Sequence, residues 1–572
     1  MAMFLLRGHE HDREGINPRG NIFTRFQRGF EARFHDFRRG YARLLGSALA
    51  NRGVFLSLFL LFAVASLGLV PFLGRNFFPD VDSGAMTLHV RGPVGLRLEE
   101  TSALFMRVEA KIREVIPPNQ LDTIVDNIGL PISSINTTYS ANGTIGPQDG
   151  DILISLNRHH APTAGYIHVL RRELPRAFPK AVFSFLPADI TSQILNFGSP
   201  APIDIQVTGI SLAADQAYAH RVLAAIRQID GVGDARIEQP ETYPEFRVDV
   251  DRTRVSSFGL TENDVTNDVA TSIAGTAQAQ PLYWLNPKNG VTYPIVAQMP
   301  EYRLNSLTKL GAIPVRHATG KVQVLSALGR VVRDSTPPVL SHYNIQPTID
   351  VYAAPDGRDL GAVATDVLAA LRRLAPGKPA IVSVTVRGQF QTMRTAFFGM
   401  GYGLIGAIVL IYLLIVINFQ SWLDPLIIIS ALPAALAGIA WMLFASGTPL
   451  SVPALTGAIM CMGVATANSI LVVSFARERL EITGDATRAA FEAGVTRLRP
   501  VVMTALAMMI GMAPMAIGVG DGGAQNAPLG RAVIGGLAFA TCATLLFVPS
   551  LFAVLHGWRG RRAAASGGFV HA

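Results

Sequence analysis

The chain has 572 residues, 49% of them hydrophobic and only 16% charged, where a soluble protein carries about a quarter. Its net charge of +8 does not mark a nucleic-acid binder, because the arginines cluster beside apolar runs, which is the pattern of membrane topology. The two cysteines, Cys461 and Cys542, both fall in apolar runs with no paired Cys or His nearby, which excludes a disulfide framework and the usual zinc patterns; no cofactor and no metal is expected.

Residues 1–52 hold ten Arg, no Lys and five acids. Phe23, Phe26, Phe30, Phe34, Phe37, Tyr41, Leu44 and Leu45 recur every three or four positions, with Arg25, Arg28, Arg33, Arg38 and Arg39 between them. An apolar stripe flanked by arginines suits a helix on a membrane surface, on the cytoplasmic side; a surface helix packed on a soluble core gives the same pattern. Met3–Leu6 is too short for the apolar region of a cleavable signal. Gly53–Leu73 is free of charge for 21 residues, long enough to span a bilayer, and the arginines before it place its start in the cytoplasm.

Residues 74–398 contain no apolar run of membrane length. Strands are predicted at Ala85–Val90, Leu121–Ile128, Asp151–Asn157 and Ala181–Phe185, and helices at Leu98–Ile116 and Ala161–Phe178. A second set follows with strands Ile203–Val207, Asp234–Glu238, Thr348–Tyr352 and Ala380–Val386, and helices Ala213–Ile229 and Leu360–Leu374. Two split β-α-β units account for this order. Between their halves lie a strand at Glu245–Asp249, a helix capped by Thr261 with Asp264 three residues on, and a hairpin around Gly320. His159-His160 is a lone pair, for which solvent exposure is a simpler reading than metal binding.

Five more spans are predicted at 399–419, 425–445, 453–476, 500–520 and 532–555, each free of Asp, Glu, Lys and Arg. Residues 477–499 carry five Arg, 521–531 only Arg531, and the tail 556–572 carries Arg559, Arg561 and Arg562. A bundle of six spans with both termini cytoplasmic and 74–398 in the periplasm obeys the positive-inside rule throughout. The predicted fold is a six-helix membrane bundle bearing a large α+β periplasmic region in a multi-pass protein of a bacterial inner membrane. The span 453–476 has Gly463, Thr466, Asn468 and Ser469 at its middle, polar and small residues that fit a packed inner helix.

The words of that span carry a resemblance. Asn468, Ile470, Leu471, Phe475, Ala476, Arg477 and Glu478 match the tenth transmembrane helix of RND (resistance-nodulation-division) efflux permeases of the acriflavine-resistance branch, with Ala467 in place of the family's Lys. The run Phe77-Phe78-Pro79-Asp80-Val81-Asp82-Ser83-Gly84 is similar to the exit of their seventh helix. The stretch from Pro244 through Asp251-Arg252, Gly259-Leu260 and Asp264-Val265 resembles the start of their docking subdomain. Asn418–Pro425, Arg497-Leu-Arg499-Pro500 with Thr504, Gly523–Asn526 and Val548-Pro549 match further motifs, so that the resemblance covers residues 20–558.

It implies porter subdomains at 78–198 and at 199–242 plus 330–395, a docking insert at 243–329, and only the C-terminal half of a permease. It further implies proton-coupled export of small molecules by a trimer with a periplasmic adaptor, an outer-membrane channel and an N-terminal half that is supplied in trans or is missing from this chain. In the family an Asp pair on the other half works with the substituted Lys. Asn468, Thr504, Arg497 and the altered Ala467 are therefore the candidate proton-relay positions; interhelical packing for Asn468 and a positive-inside anchor for Arg497 are the plainer alternatives. Asn136–Asp151 aligns with the switch loop, which makes Tyr139, Asn142 and Gly143 substrate candidates, although no Phe occurs there to trap an apolar drug. A six-span export accessory similar to SecD/SecF, which lacks a match to 243–329, and a non-transporting fragment are the rival readings. No enzymatic signature is present.

Overall fold

The structure, a computed structural model, describes residues 22–566 apart from 80, 131–143, 189, 197, 280, 317–319, 321 and 519–521. Helix α1 (Ile22–Ala50) leads through Asn51 into α2 (Arg52–Leu67). The aromatic stripe of α1 is shared between two surroundings: Tyr41, Leu45 and Leu49 are buried against the bundle, whereas Phe37 and Leu44 are exposed. The Tyr41 hydroxyl donates to the Leu545 carbonyl at 2.7 Å. Gly494 permits this approach, since a Cβ there would stand 2.6 Å from Leu45 Cδ2. The helix expected to lie on a membrane is thus also fastened to the bundle.

Among the described residues the polar excursion contains two larger antiparallel sheets, of four and five strands, besides three two-stranded pairs. In the first, β1 (Ala85–Arg91), α3 (Leu98–Val115), β2 (Leu121–Ile128), β3 (Asp149–Leu156), α4 (Thr163–Ala177) and β4 (Val182–Leu186) give the strand order β2-β3-β1-β4. In the second, β5 (Ile203–Gly209), α5 (Leu212–Ile226) and β6 (Val232–Ile237) form the first half. The chain then departs along β7 (Tyr243–Val250) and α6 (Glu262–Ala274), which Thr261 and Asp264 cap reciprocally, and returns along β8 (Gly329–Thr336), which pairs with β7. Strands β9 (Ser341–Tyr343) and β10 (Gln346–Pro355), helix α7 (Leu360–Leu374) and strand β11 (Val382–Arg387) complete it, with β6 and β5 both paired to β10 and β11 paired to β5. Both sheets therefore have the split β-α-β order, and the insertion between β7 and β8 interrupts the second. The hairpin expected around Gly320 is Pro314–Arg316 with Val322–Val324.

Each sheet packs one face on its helices. Met86, Leu88 and Val90 meet Phe105 and Val108 in the first, and Ile203, Ile205 and Val207 meet Val222 and Val363 in the second. The opposite face of the second sheet is polar yet buried, with Asp204, Gln206, Asp350 and Tyr352 side by side across β5 and β10. Gln206 donates to Asp204 at 3.0 Å and Gln239 to Asp350 at 2.6 Å. Burial, then the charge of Asp350, pushes the Asp204 carboxyl from 3.8 up to about 7, and burial likewise raises Asp350. The folded chain thus holds its protons more tightly than the unfolded chain, so stability is full below the ordinary carboxyl value and declines as pH rises towards 7. The Tm of the detergent-solubilised chain is expected to be higher at pH 5 than at pH 8. Asp204→Asn should remove the part of that difference due to Asp204, about 3 kcal/mol between pH 5 and pH 8 for a carboxyl raised from 3.8 to about 7. Equal pH dependence in the variant would refute the assignment.

The chain re-enters the bundle through α8 (Gln389–Phe419), ten residues earlier than the apolar run alone suggests. Gly388, at φ 82°, makes the turn, and a side chain there would meet the Pro202 carbonyl at 2.6 Å. The span predicted at 425–445 is two helices, α9 (Leu423–Ile429) and α10 (Leu432–Ala445). Pro433 lacks the amide needed to continue from α9, which explains the break. Helix α11 (Val452–Thr483) and α12 (Ala486–Ile517) leave only Gly484 and Asp485 between them. The arginine-rich segment 477–499 is therefore mainly helix and not loop: it is polar because it extends beyond the apolar stretches. Pro500, predicted to begin a helix, lies inside α12. Likewise α13 (Gly523–Cys542) takes in Arg531, and a π-helical turn at Ala543–Phe547 joins it to α14 (Val548–Ser566). Pro549, which has no N–H to donate back into that turn, accounts for the π geometry. Among the described residues six helical segments are long and apolar enough to cross a membrane.

Candidate functional site

Among the described residues, two places are candidates for a functional site. The first is in the bundle, on α11 and α12. Small residues let these helices and α13 approach closely: a Cβ on Gly457 would lie 2.8 Å from the Leu529 carbonyl. Gly463, by contrast, has open space around it and is exposed, so its expected role in close packing inside this chain is not observed. Asn468 is 4% exposed, and the Thr504 hydroxyl lies 2.9 Å from its Oδ1 and 2.9 Å from the Val501 carbonyl. One turn from Gly463 on the same side of α11, Ala467 is exposed, as is Thr504. The result is a notch with a carboxamide at its base and small side chains around its mouth. The neighbouring Ser469 faces inward, bonded at 2.9 Å to Thr544 in the π-helical turn.

Arg497 does not join this notch. It precedes Thr504 by about two helical turns, roughly 10 Å, and its guanidinium lies 4.7 Å from the ring centre of Phe475. That placement fits the anchoring alternative through a cation–π contact. Tyr139, Asn142 and Gly143 lie outside the described residues.

The second place is a cleft of about 780 Å³ where the two sheet units meet one end of the bundle. Its walls include Met86, Ile167 and Phe185 from the first unit, Asp356 from the second, and Phe72 and Phe444 from the bundle. The segment after α2 holds these parts in register. Asn76 N donates to the Leu450 carbonyl at 3.0 Å, while Asn76 Oδ1 caps α7 through Leu360 N at 2.9 Å.

The geometry of six apolar helical segments around two split β-α-β units can now be set beside known proteins. A family model described as the AcrB/AcrD/AcrF family matches residues 1–556. The chain belongs to this family, that of the RND efflux permeases. It is 26% identical over 530 residues to the cobalt-zinc-cadmium resistance protein CzcA of Cupriavidus metallidurans, covering 91% of this chain and 48% of that protein. It is 25% identical over 564 residues to the multidrug resistance protein MdtC of Proteus mirabilis, covering 96% of this chain and 51% of that one. A solved heavy metal efflux pump shares the fold with a TM-score of 0.76 at 22% identity, over 91% of this chain and 52% of the pump. The chain spans about half the length of the curated relatives it matches.

The structure brings together ionisable residues that the sequence analysis did not connect. Asp424, only 1% exposed, accepts from His556 Nε2 at 2.8 Å, and its other oxygen is 3.5 Å from Arg477. Arg477 also donates to the Phe419 carbonyl at 2.7 Å. This cluster ties the end of α8 and the start of α9 to α11 and α14. The predicted span began at Pro425 and so excluded Asp424 by one residue; the Asp-Pro pair at the start of an apolar run was the available signal. Arg531 is similarly absorbed, donating to the Ala516 carbonyl at 2.9 Å and to Thr448 at 2.6 Å.

Proposed function

We propose that this chain is the C-terminal half of a proton-coupled RND efflux transporter of the acriflavine-resistance branch, which exports small molecules across a bacterial cell envelope. The observation that carries the reading is the exposed side of α11 and α12. There Gly463, Ala467 and Thr504 border the buried Asn468 carboxamide, and no carboxylate lies in the middle of any apolar segment. A proton-driven pump needs a group that gains and loses a proton within the bundle. In this account a second six-helix half packs on that side and brings the acids, in trans or as a segment missing from this chain.

Residues 74–398 then face the periplasm, and 1–52 and 556–572 the cytoplasm. The units 78–198 and 199–242 plus 330–395 act as porter subdomains around the cleft, and 243–329 docks towards an outer-membrane channel. A periplasmic adaptor and a trimeric assembly complete the machine. The insertion between β7 and β8 speaks against the SecD/SecF-like alternative. Efflux of a fluorescent dye from a pump-deficient host tests the proposal. Only co-expression with an N-terminal half should give export that collapses with the proton gradient. Gradient-dependent export by this chain alone would refute it.

A further inference from the structure

The two sheet units touch edge to edge, β4 against β6. On the polar side of that seam, Arg91 Nη1 donates to the Glu238 carbonyl at 2.9 Å and Tyr243 donates to Gln148 at 3.2 Å. On the helical side, Arg171 of α4 reaches across to two carboxylates of the other unit. Its Nε donates to Asp234 at 3.0 Å and its Nη1 to Asp356 at 3.0 Å. The same Asp234 oxygen accepts Phe185 N of β4 at 3.3 Å, and His168 lies 3.0 Å from the other Asp356 oxygen. Arg171 is 15% exposed, Asp234 5% and Asp356 20%, so these charges are shielded from salt. Asp234 stands at φ 53°, a conformation that only Asn, Asp and Gly adopt at ease, which aims its carboxylate back at the seam.

This clasp has open space on both sides. The cleft of about 780 Å³ lies towards the bundle, and a second of about 510 Å³, containing Arg172, Phe183, Arg227 and Arg236, lies away from it. His168, Arg171, Phe185 and Asp356 line both. We propose that the Arg171–Asp234–Asp356 clasp is a latch: closed, it divides one groove into two chambers, and released, it lets the units part on their helical side about the Arg91–Glu238 contact, joining the chambers. The inference rests on the porter reading for its purpose, since a transporter needs such a groove to open and close. The latch itself is a property of the chain and can be measured without transport.

Spin labels on cysteines at Arg176 and Gln228, both exposed and on opposite units, report the opening in the full chain reconstituted in nanodiscs, with Cys461 and Cys542 replaced by Ser. A single short distance is expected for the closed latch. Arg171→Ala should convert most of the population to a longer, broader component. Asp356→Asn, which removes one leg and leaves the more buried Asp234 pair, should do so partly. Arg171→Lys, able to keep one pairing, should stay close to the parent. The parent distribution in both Arg171→Ala and Asp356→Asn, with unchanged circular dichroism, would overturn the latch. Opening by these variants without any transport by the assembled protein would instead count against the porter reading and leave the latch standing. Should Arg171→Ala not fold, Asp356→Asn alone decides between the two results.

Discussion

Asn468→Leu and Thr504→Val are expected to lower gradient-driven export by the assembled protein about tenfold each, without reducing the amount of folded chain. Tenfold corresponds to ~1.4 kcal/mol, within the roughly 1–2 kcal/mol assigned to a hydrogen bond between membrane helices. The physical ground is the 2.9 Å contact between the Thr504 hydroxyl and Asn468 Oδ1 beside the exposed Ala467. If the second half places carboxylates at this notch, they meet no cation there. A carboxylate in a dry bundle without a cation releases its proton less readily. Ala467→Lys supplies the missing cation and should move the pH profile of transport towards acid, because a nearby positive charge favours the ionised carboxylate. An unmoved profile in Ala467→Lys, together with parental transport in the other two variants, would mean that the notch is packing and nothing more.

Gly535→Val should destabilise the chain severely. A Cβ at Gly535 would overlap Met442 and stand 2.6 Å from the Gly438 carbonyl, and a Cβ at Gly438 would stand 2.7 Å from Phe539 Cβ. This is the tightest crossing of α10 and α13. Membrane helices associate mainly through such close packing, with little hydrophobic drive. Overpacking costs on the order of 1–3 kcal/mol even where side chains can move aside, and here one obstacle is backbone. The Tm of the variant in detergent should fall well below that of the parent. Gly463→Val, by contrast, meets open space and should leave the Tm of the lone chain unchanged. Equal effects of the two substitutions would contradict the packing described for α10, α11 and α13.

Local patterns announced most of the elements but not their ends. Periodicity placed α7 at Leu360–Leu374 and the Thr261–Asp264 cap correctly, because both depend on neighbours in sequence. The membrane helices were found from their uncharged cores, and their lengths were missed for the same reason. Helix α12 starts at Ala486 behind the Asp485 cap, where the side chains are polar, and a pattern of charge cannot distinguish a helix that protrudes from a loop. The break at Ser430 and Ala431 was hidden because Pro433 sits in an otherwise uniform apolar run.

In the candidate sites, Asn468 with Thr504 was legible from motif words, since each stands at a fixed place on its helix. The Asp424–His556–Arg477 cluster and the Arg171 clasp were not. Their members are 132 and 185 positions apart in the longest pairings, and only the packing of whole elements brings them together.

The exposed notch decides whether a second half belongs on this chain. With Ala467→Cys as the single reactive thiol, maleimide labelling in mild detergent should proceed readily in the lone chain, where that position is exposed. Co-purified with an N-terminal half, the same cysteine should be protected, because six further helices cover that side of α11 and α12. Equal labelling in the presence and absence of the N-terminal half, at full complex formation, would contradict the account.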